Sequence, residues 1–184
     1  MSRSAPEKWT RAYVALGSNL GDRLTNLRQA AGRLAAHPRV RLVAASRVIE
    51  TPPMGPPQGP YLNAVLAVET TLPPESVLVL CRQIEDAGKR QRAVRWGPRT
   101  IDLDLVDVGG LVITTPTLRL PHPEMASRIF VLAPLAEVAP DWRHPETGQS
   151  VAELRAKLES SGGQSFTVVA EAESWCPRSW WMGR

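Results

Sequence analysis

Thr100-Ile101-Asp102-Leu103-Asp104-Leu105 reads as a β-strand with two unlike faces. Side chains alternate along an extended chain, so Ile101, Leu103 and Leu105 share the side that packs, while Asp102 and Asp104 share the other. Two carboxylates that close repel unless something positive lies between them. A solvated polar face would satisfy the pattern. So would a seat for a divalent cation of hard-oxygen preference, such as Mg2+ bound jointly with a substrate's phosphates. Just upstream, Lys89, Arg90, Arg92, Arg95 and Arg99 form the one local cationic cluster, with Trp96 among them, and favour an anionic ligand.

Working outward from this strand gives the order of elements. Before it, Pro73-Pro74 opens an amphipathic helix marked by Val77, Leu80, Cys81 and Ile84, which fades near Gly88; Cys81 reads as a core thiol. Earlier still, Tyr61 to Thr70 is extended, with Leu62, Ala64, Leu66 and Val68 alternating against Tyr61, Asn63 and Val65. Thr51 to Pro60 holds five prolines and two glycines in ten residues, a loop too stiff for a simple turn and of the kind that serves as a lid. Val40 to Glu50 reads as one strand, with Val40, Leu42, Ala44 and Val48 on one side. Ala12 to Leu16 is the first strand. It stops at Gly17-Ser18-Asn19-Leu20-Gly21, after which Leu24, Leu27, Ala31 and Leu34 recur at helical spacing, with Asp22 placed to cap and Pro38 to close. After the acidic strand, Gly109-Gly110 predicts a hairpin back through Leu111-Val112-Ile113. The order is β-α-β-β-α-β, the split βαβ arrangement. A short helix is expected from about Phe130 to Val138, another after the capping box of Ser150 and Glu153 through Leu158, and a short strand at Phe166 to Val169. Residues 1–10 read as a flexible lead, 11–161 as one domain and 162–184 as a tail. The tail's Trp175, Trp180 and Trp181 have no clear periodicity, which leaves docking and disorder both open.

The 184 residues, 43% hydrophobic, suffice for one core, and the formal charge of +4 is moderate. Cys81 and Cys176 show no metal-ligand spacing, so neither a zinc site nor a disulfide framework is indicated and a reducing, cytoplasmic setting is expected. No apolar run approaches the roughly 18 residues that cross a bilayer, and no membrane association is expected. Nucleic acid is not expected as a partner, because the basic cluster lacks interleaved aromatics beyond Trp96. A P-loop and a protein-kinase glycine loop are both absent.

Phosphoryl or pyrophosphoryl transfer needs metal on the phosphates, cations around them and a pocket for the acceptor hydroxyl. Asp102 and Asp104 could seat the metal, and Arg90, Arg92, Arg95, Arg99, His122 and Arg128 could meet the phosphates. Asn63, with a donor and an acceptor, suits a heterocycle edge, and Trp96 or Phe130 could stack on its flat surface. Each also has a plain structural role: a satisfied amide, rim packing, a structural imidazole for His122.

Four separated motifs resemble the 6-hydroxymethyl-7,8-dihydropterin pyrophosphokinase family over about residues 11–158. They are Ala15-Leu16-Gly17-Ser18-Asn19-Leu20-Gly21, Glu50-Thr51-Pro52-Pro53-Met54-Gly55, Tyr61-Leu62-Asn63-Ala64, and Arg95 to Leu105 followed by Leu120-Pro121-His122-Pro123 and Arg128. The resemblance implies a ferredoxin-like α+β fold with a mainly antiparallel sheet. It implies transfer of pyrophosphate from ATP to the pterin hydroxymethyl group with release of AMP, in folate biosynthesis. Two Mg2+ ions would be held by Asp102 and Asp104, and Arg90 and Arg92 would match the R-x-R pair of a mobile loop credited with assisting the chemistry. ATP positions would be Leu78, Glu85, Arg92, Trp96, Arg99, Leu105, His122 and Arg128. Pterin positions would be Thr51, Pro53, Met54, Tyr61, Asn63, Trp96 and Phe130. Lys89 stands where the family usually has glycine before R-x-R, and Arg82 where it often has Gln near the adenine. A monomer is expected, with association with other folate-pathway enzymes as a further expectation. The rival reading is a non-catalytic ferredoxin-like module that binds nucleotide or RNA.

Overall fold

Strand β1 (Thr10–Ser18) lies between β4 (Tyr61–Thr70) and β5 (Asp102–Val108), antiparallel to both. The computed structural model describes residues 8–53, 57–88, 100–162 and 164–181. In chain order the other elements are α1 (Arg23–Ala36), β2 (Val40–Ala45), β3 (Val48–Thr51), α2 (Pro74–Ala87), β6 (Ile113–Thr114), β7 (Arg119–Leu120), α3 (Ile129–Val138), α4 (Val151–Ser160), β8 (Thr167–Ala170) and α5 (Ala172–Trp175). The main sheet runs β5-β1-β4-β3-β8, and β2 pairs with the other half of β4. The expected β-α-β-β-α-β order is therefore present, in the ferredoxin-like arrangement, with all pairings of this sheet antiparallel.

Alternation decides what each face meets. Val14, Leu16, Leu62, Ala64, Leu66, Leu103 and Leu105 pack beneath α1 and α2, together with Leu27, Leu34, Val77 and Ile84. Ala15, Val65 and Val106 point the other way, into a second cluster with Val131, Leu132 and Leu135 of α3 and Val151 and Leu154 of α4. Neither face is an open platform on which bases could stack, which removes the structural support for the RNA-binding reading.

Three expectations need correction. The second strand is not continuous. Its register shifts between Leu42 and Ala44, so that Ala45 rather than Ala44 is buried, and Ser46-Arg47 separates β2 from β3. The Ser46 backbone N–H donates to Val65 O (3.0 Å) while its Oγ accepts the Val65 N–H (2.9 Å), a side chain replacing a ladder partner. The Gly109-Gly110 hairpin also fails to propagate. Both glycines have positive φ and the Leu111 N–H reaches Val108 O, but the Gly109 N–H turns inward to Arg11 O (2.8 Å) and Leu111 and Val112 stay exposed. Ile113–Thr114 pairs instead with Arg119–Leu120. Finally, helix α3 begins at Ile129 and α4 extends to Ser160, each slightly longer than expected.

The other local readings stand. Asp22 Oδ1 accepts the Thr25 N–H, both halves of the Ser150/Glu153 capping box form, and Cys81 is wholly buried, which pushes its thiol up to about 12. The tail docks: β8 pairs with the outer edge of β3, and Trp175 is fully buried. Among the described residues no helix is long and apolar enough to cross a membrane.

Candidate active site

The end of β1, the start of β5 and the start of β4 meet on the α3 side of the sheet, around a cavity of about 490 Å3. Strand geometry presents Asp102 and Asp104 to it from β5, and Thr51, Tyr61 and Asn63 from β3 and β4. His122, Glu124, Ser127, Arg128 and Phe130 complete the lining from the segment leading into α3.

Asp104 is the electrostatic centre of one wall. Arg128 Nη1 lies 3.4 Å from its Oδ2 and His122 Nε2 3.9 Å from its Oδ1. Arg128 also pairs with Glu124, and its guanidinium stacks over the Phe130 ring at 5.6 Å. His122 Nδ1 accepts the Glu124 N–H (3.2 Å), which leaves Nε2 to carry the proton that faces Asp104. Burial holds the imidazole below its ordinary pKa, with the Asp104 charge opposing that shift. At 3.9 Å, Nε2 faces the Asp104 carboxylate from beyond hydrogen-bond reach.

The other wall orients an amide. Asn63 is buried and its Nδ2 donates to Thr51 Oγ1 at 2.9 Å, which fixes the side chain from the neighbouring strand. Its Oδ1 is turned towards Gly17, where a Cβ would approach it to 3.2 Å and Tyr61 Cδ1 to 3.7 Å. Gly17 is thus a position where a side chain would crowd the cavity's polar acceptor. Below this wall, Arg23 Nη1 bridges Glu50 Oε2 (2.9 Å) and Pro60 O (2.8 Å), and Asn19 Nδ2 reaches Gln58 Oε1 (2.8 Å). These links tie both ends of the Pro-rich loop to the start of α1.

The structure therefore brings together Asp102, Asp104, His122, Arg128, Thr51, Tyr61, Asn63 and Phe130. Pro52 rather than Pro53 lines the cavity. Leu78, Glu85 and Leu105 do not line it: Leu105 is buried beneath the helices, Leu78 packs on the same cluster, and Glu85 Oε1 accepts the Leu103 N–H at 2.9 Å. Arg90, Arg92, Trp96 and Arg99, and Met54 of the Pro-rich loop, lie outside the described residues. Sequence reasoning missed Glu124, Ser127 and the lining role of Gly17. Glu124 carried a usable signal, standing four residues before Arg128 next to the Pro-His-Pro turn.

For a metal, the donor set is two part-exposed carboxylates, with the Asp104 side chain 34% exposed. No cluster of three or more His, Cys, Asp or Glu that could hold a metal occurs among the described residues. Two hard oxygens without a third protein ligand fit Mg2+, which keeps waters and takes further oxygens from phosphate; they do not fit a closed protein cage.

A family model described as 7,8-dihydro-6-hydroxymethylpterin-pyrophosphokinase (HPPK) matches residues 13–140. The chain belongs to that family. Among curated relatives, a 2-amino-4-hydroxy-6-hydroxymethyldihydropteridine pyrophosphokinase of Methylorubrum extorquens is 46% identical over 154 residues, covering 83% of this chain and 96% of that protein. The Bacillus subtilis protein of the same description is 48% identical over 128 residues, 69% of this chain and 77% of its own. A Lactococcus lactis bifunctional protein FolKE is 35% identical over 88% of this chain but only 46% of its own length. In fold, the chain is similar to the wild-type Plasmodium falciparum HPPK-DHPS crystal structure, with a TM-score of 0.66 at 15% identity. That match covers 85% of this chain and 46% of the other, so the chain spans less than half of the larger protein. The HPPK match includes every described cavity residue named above.

Proposed function

We propose that this HPPK-family chain transfers the β,γ-pyrophosphoryl group of ATP to the hydroxymethyl oxygen of 6-hydroxymethyl-7,8-dihydropterin, a step of folate biosynthesis. The carrying observation is a single cavity that joins an acidic pair and the flanking Arg128 to an oriented amide and two aromatic rings. The pterin oxygen forms a bond to Pβ as the bond between Pβ and the bridging oxygen of the α-phosphate breaks. AMP leaves with that electron pair, and the hydroxyl proton passes to solvent. Such a transfer asks the protein chiefly for positioning and charge stabilisation.

Asn63, held by Thr51, gives the pterin ring edge a fixed acceptor, with Tyr61 and Phe130 as its apolar walls. Pro53, Met54 and Trp96 are assigned to the same ring. Asp102 and Asp104 would hold Mg2+, assigned as two ions, whose chemistry is to neutralise the phosphate oxygens when bound with ATP. His122 and Arg128 are assigned to the phosphates, with Arg90, Arg92 and Arg99 joining them from the preceding segment. Leu78, Glu85, Trp96 and Leu105 are assigned to the nucleotide by family resemblance. The chain is assigned as a cytoplasmic monomer that can associate with other folate-pathway enzymes.

The test is product analysis with ATP, Mg2+ and the reduced pterin. AMP and the pterin diphosphate should appear in equal amounts; ADP in place of AMP, or no turnover, refutes the reading. Asp102→Ala and Asp104→Ala should each lower kcat by about a hundredfold or more while circular dichroism stays unchanged. A fully active variant would remove that residue from the metal site.

A further inference from the structure

Strand β3 is four residues long and carries Thr51, the acceptor that orients Asn63, and Glu50, the partner of Arg23. On one side it pairs with β4, Ile49 opposite Asn63 and Thr51 opposite Tyr61. On the other it pairs with β8 of the tail, Ile49 opposite Val168 and Glu50 opposite Thr167. Its connection to β2 is Ser46-Arg47, and there the Trp175 indole Nε1–H donates to Ser46 O at 2.9 Å from a fully buried position. The rest of the tail is fastened around this bond. Trp181 Nε1 donates to Cys176 O (3.1 Å), Trp181 bridges to Leu42 of β2, and the Trp180 ring lies on Gly32 of α1, 3.2 Å from where a Cβ would stand. Residues 164–181 lie beyond the stretch matched by the HPPK family model, and none of them lines the cavity.

We infer that this tail is an intramolecular brace, with Trp175 and β8 positioning β3 so that Thr51 holds Asn63 in its pterin-binding orientation. The inference rests on the pterin site proposed above. A short strand with one free edge and an interrupted link to β2 would sample other registers; the tail closes that edge and caps the interruption. Trp175 is a positioning residue, acting through Ser46 and β3, and touches no substrate.

Full-length Trp175→Phe keeps most of the ring and removes the donor to Ser46 O. With 6-hydroxymethylpterin titrated calorimetrically at saturating α,β-methylene-ATP and Mg2+, its Kd should rise about three- to tenfold, as expected for one lost hydrogen bond acting on the site. The Kd of α,β-methylene-ATP alone should stay within about twofold. Amide exchange should quicken at Ile49 and Thr51 and stay unchanged at Val14 and Leu16 of β1. Unaltered exchange in β3, quicker exchange with unaltered pterin affinity, or an equal loss for both ligands would each overturn the brace. If Trp175→Phe does not fold, Trp181→Phe, at a part-buried ring, provides the same comparison with a smaller shift in the same direction. Wild-type protein that binds no pterin defeats the proposed function instead, and the exchange rates in β3 still decide the brace.

Discussion

Asp107 is the carboxylate that the acidic strand does not offer to the cavity. The register shift in β5 opposite Tyr13 and Val14 places Val106 and Asp107 side by side on the α3 face, so Asp107 is buried while Asp102 and Asp104 remain accessible. Its Oδ2 accepts the Gly110 N–H at 3.1 Å, and burial lifts its pKa above the ordinary carboxylate value. The native chain thus holds the Asp107 proton more tightly than the unfolded chain does. That contribution to stability is complete below the unfolded pKa, about 3.9, and is lost as pH rises through the raised native value. Urea unfolding of wild type and Asp107→Asn should therefore show the difference in stability shifting in favour of wild type as pH falls from 7 towards 4. A difference that does not change with pH would mean that Asp107 titrates alike in both states. Strict alternation would put Asp107 on the face of Leu103 and Leu105, opposite Asp102 and Asp104; the bulge that turns it to the α3 face is a tertiary event that alternation cannot foresee.

Strands and helices with strong periodicity were legible: β1, β4, β5, α1 and α2 carry their own pattern, and their caps and breakers are local. Asp22, Pro73-Pro74 and the Ser150/Glu153 box all act within one turn of chain, so sequence alone places them. Ser150→Ala should cost about 1 kcal/mol of unfolding free energy by removing one cap, with AMP formation unchanged because α4 packs on α3 away from the cavity. A loss of activity at full stability would contradict that separation. What was not legible depended on distant partners. The break at Ser46 is made by Val65, and the failed hairpin at Gly109 by Arg11, each far away in sequence. The site was legible to the same degree. Asp102 and Asp104 follow from alternation, and the Arg128–Glu124 pair from its four-residue spacing, but the turning of Asn63 by Thr51 appears only when β3 and β4 pair.

The molecule as a whole is a sheet with two apolar layers, and its substrates are assigned to one side while the tail fastens the other. Tail and the candidate carboxylates thus share a sheet without sharing a surface, and β3 is the strand at which the tail pairs with that sheet. The two cysteines fall in different parts of this plan. Cys81 lies in α2 against the central strands, and Cys176 follows the buried Trp175 in the tail; both are buried, and burial raises both thiols above the ordinary value. Neither should react with an alkylating reagent while the native contacts hold. Each thiol is consequently a clock for a different opening, Cys176 for release of the tail and Cys81 for collapse of the whole sheet. In pulse alkylation read by peptide mass, Cys176 should be modified faster than Cys81 at every denaturant concentration below the unfolding midpoint. Equal rates would mean that tail and sheet come apart in a single step.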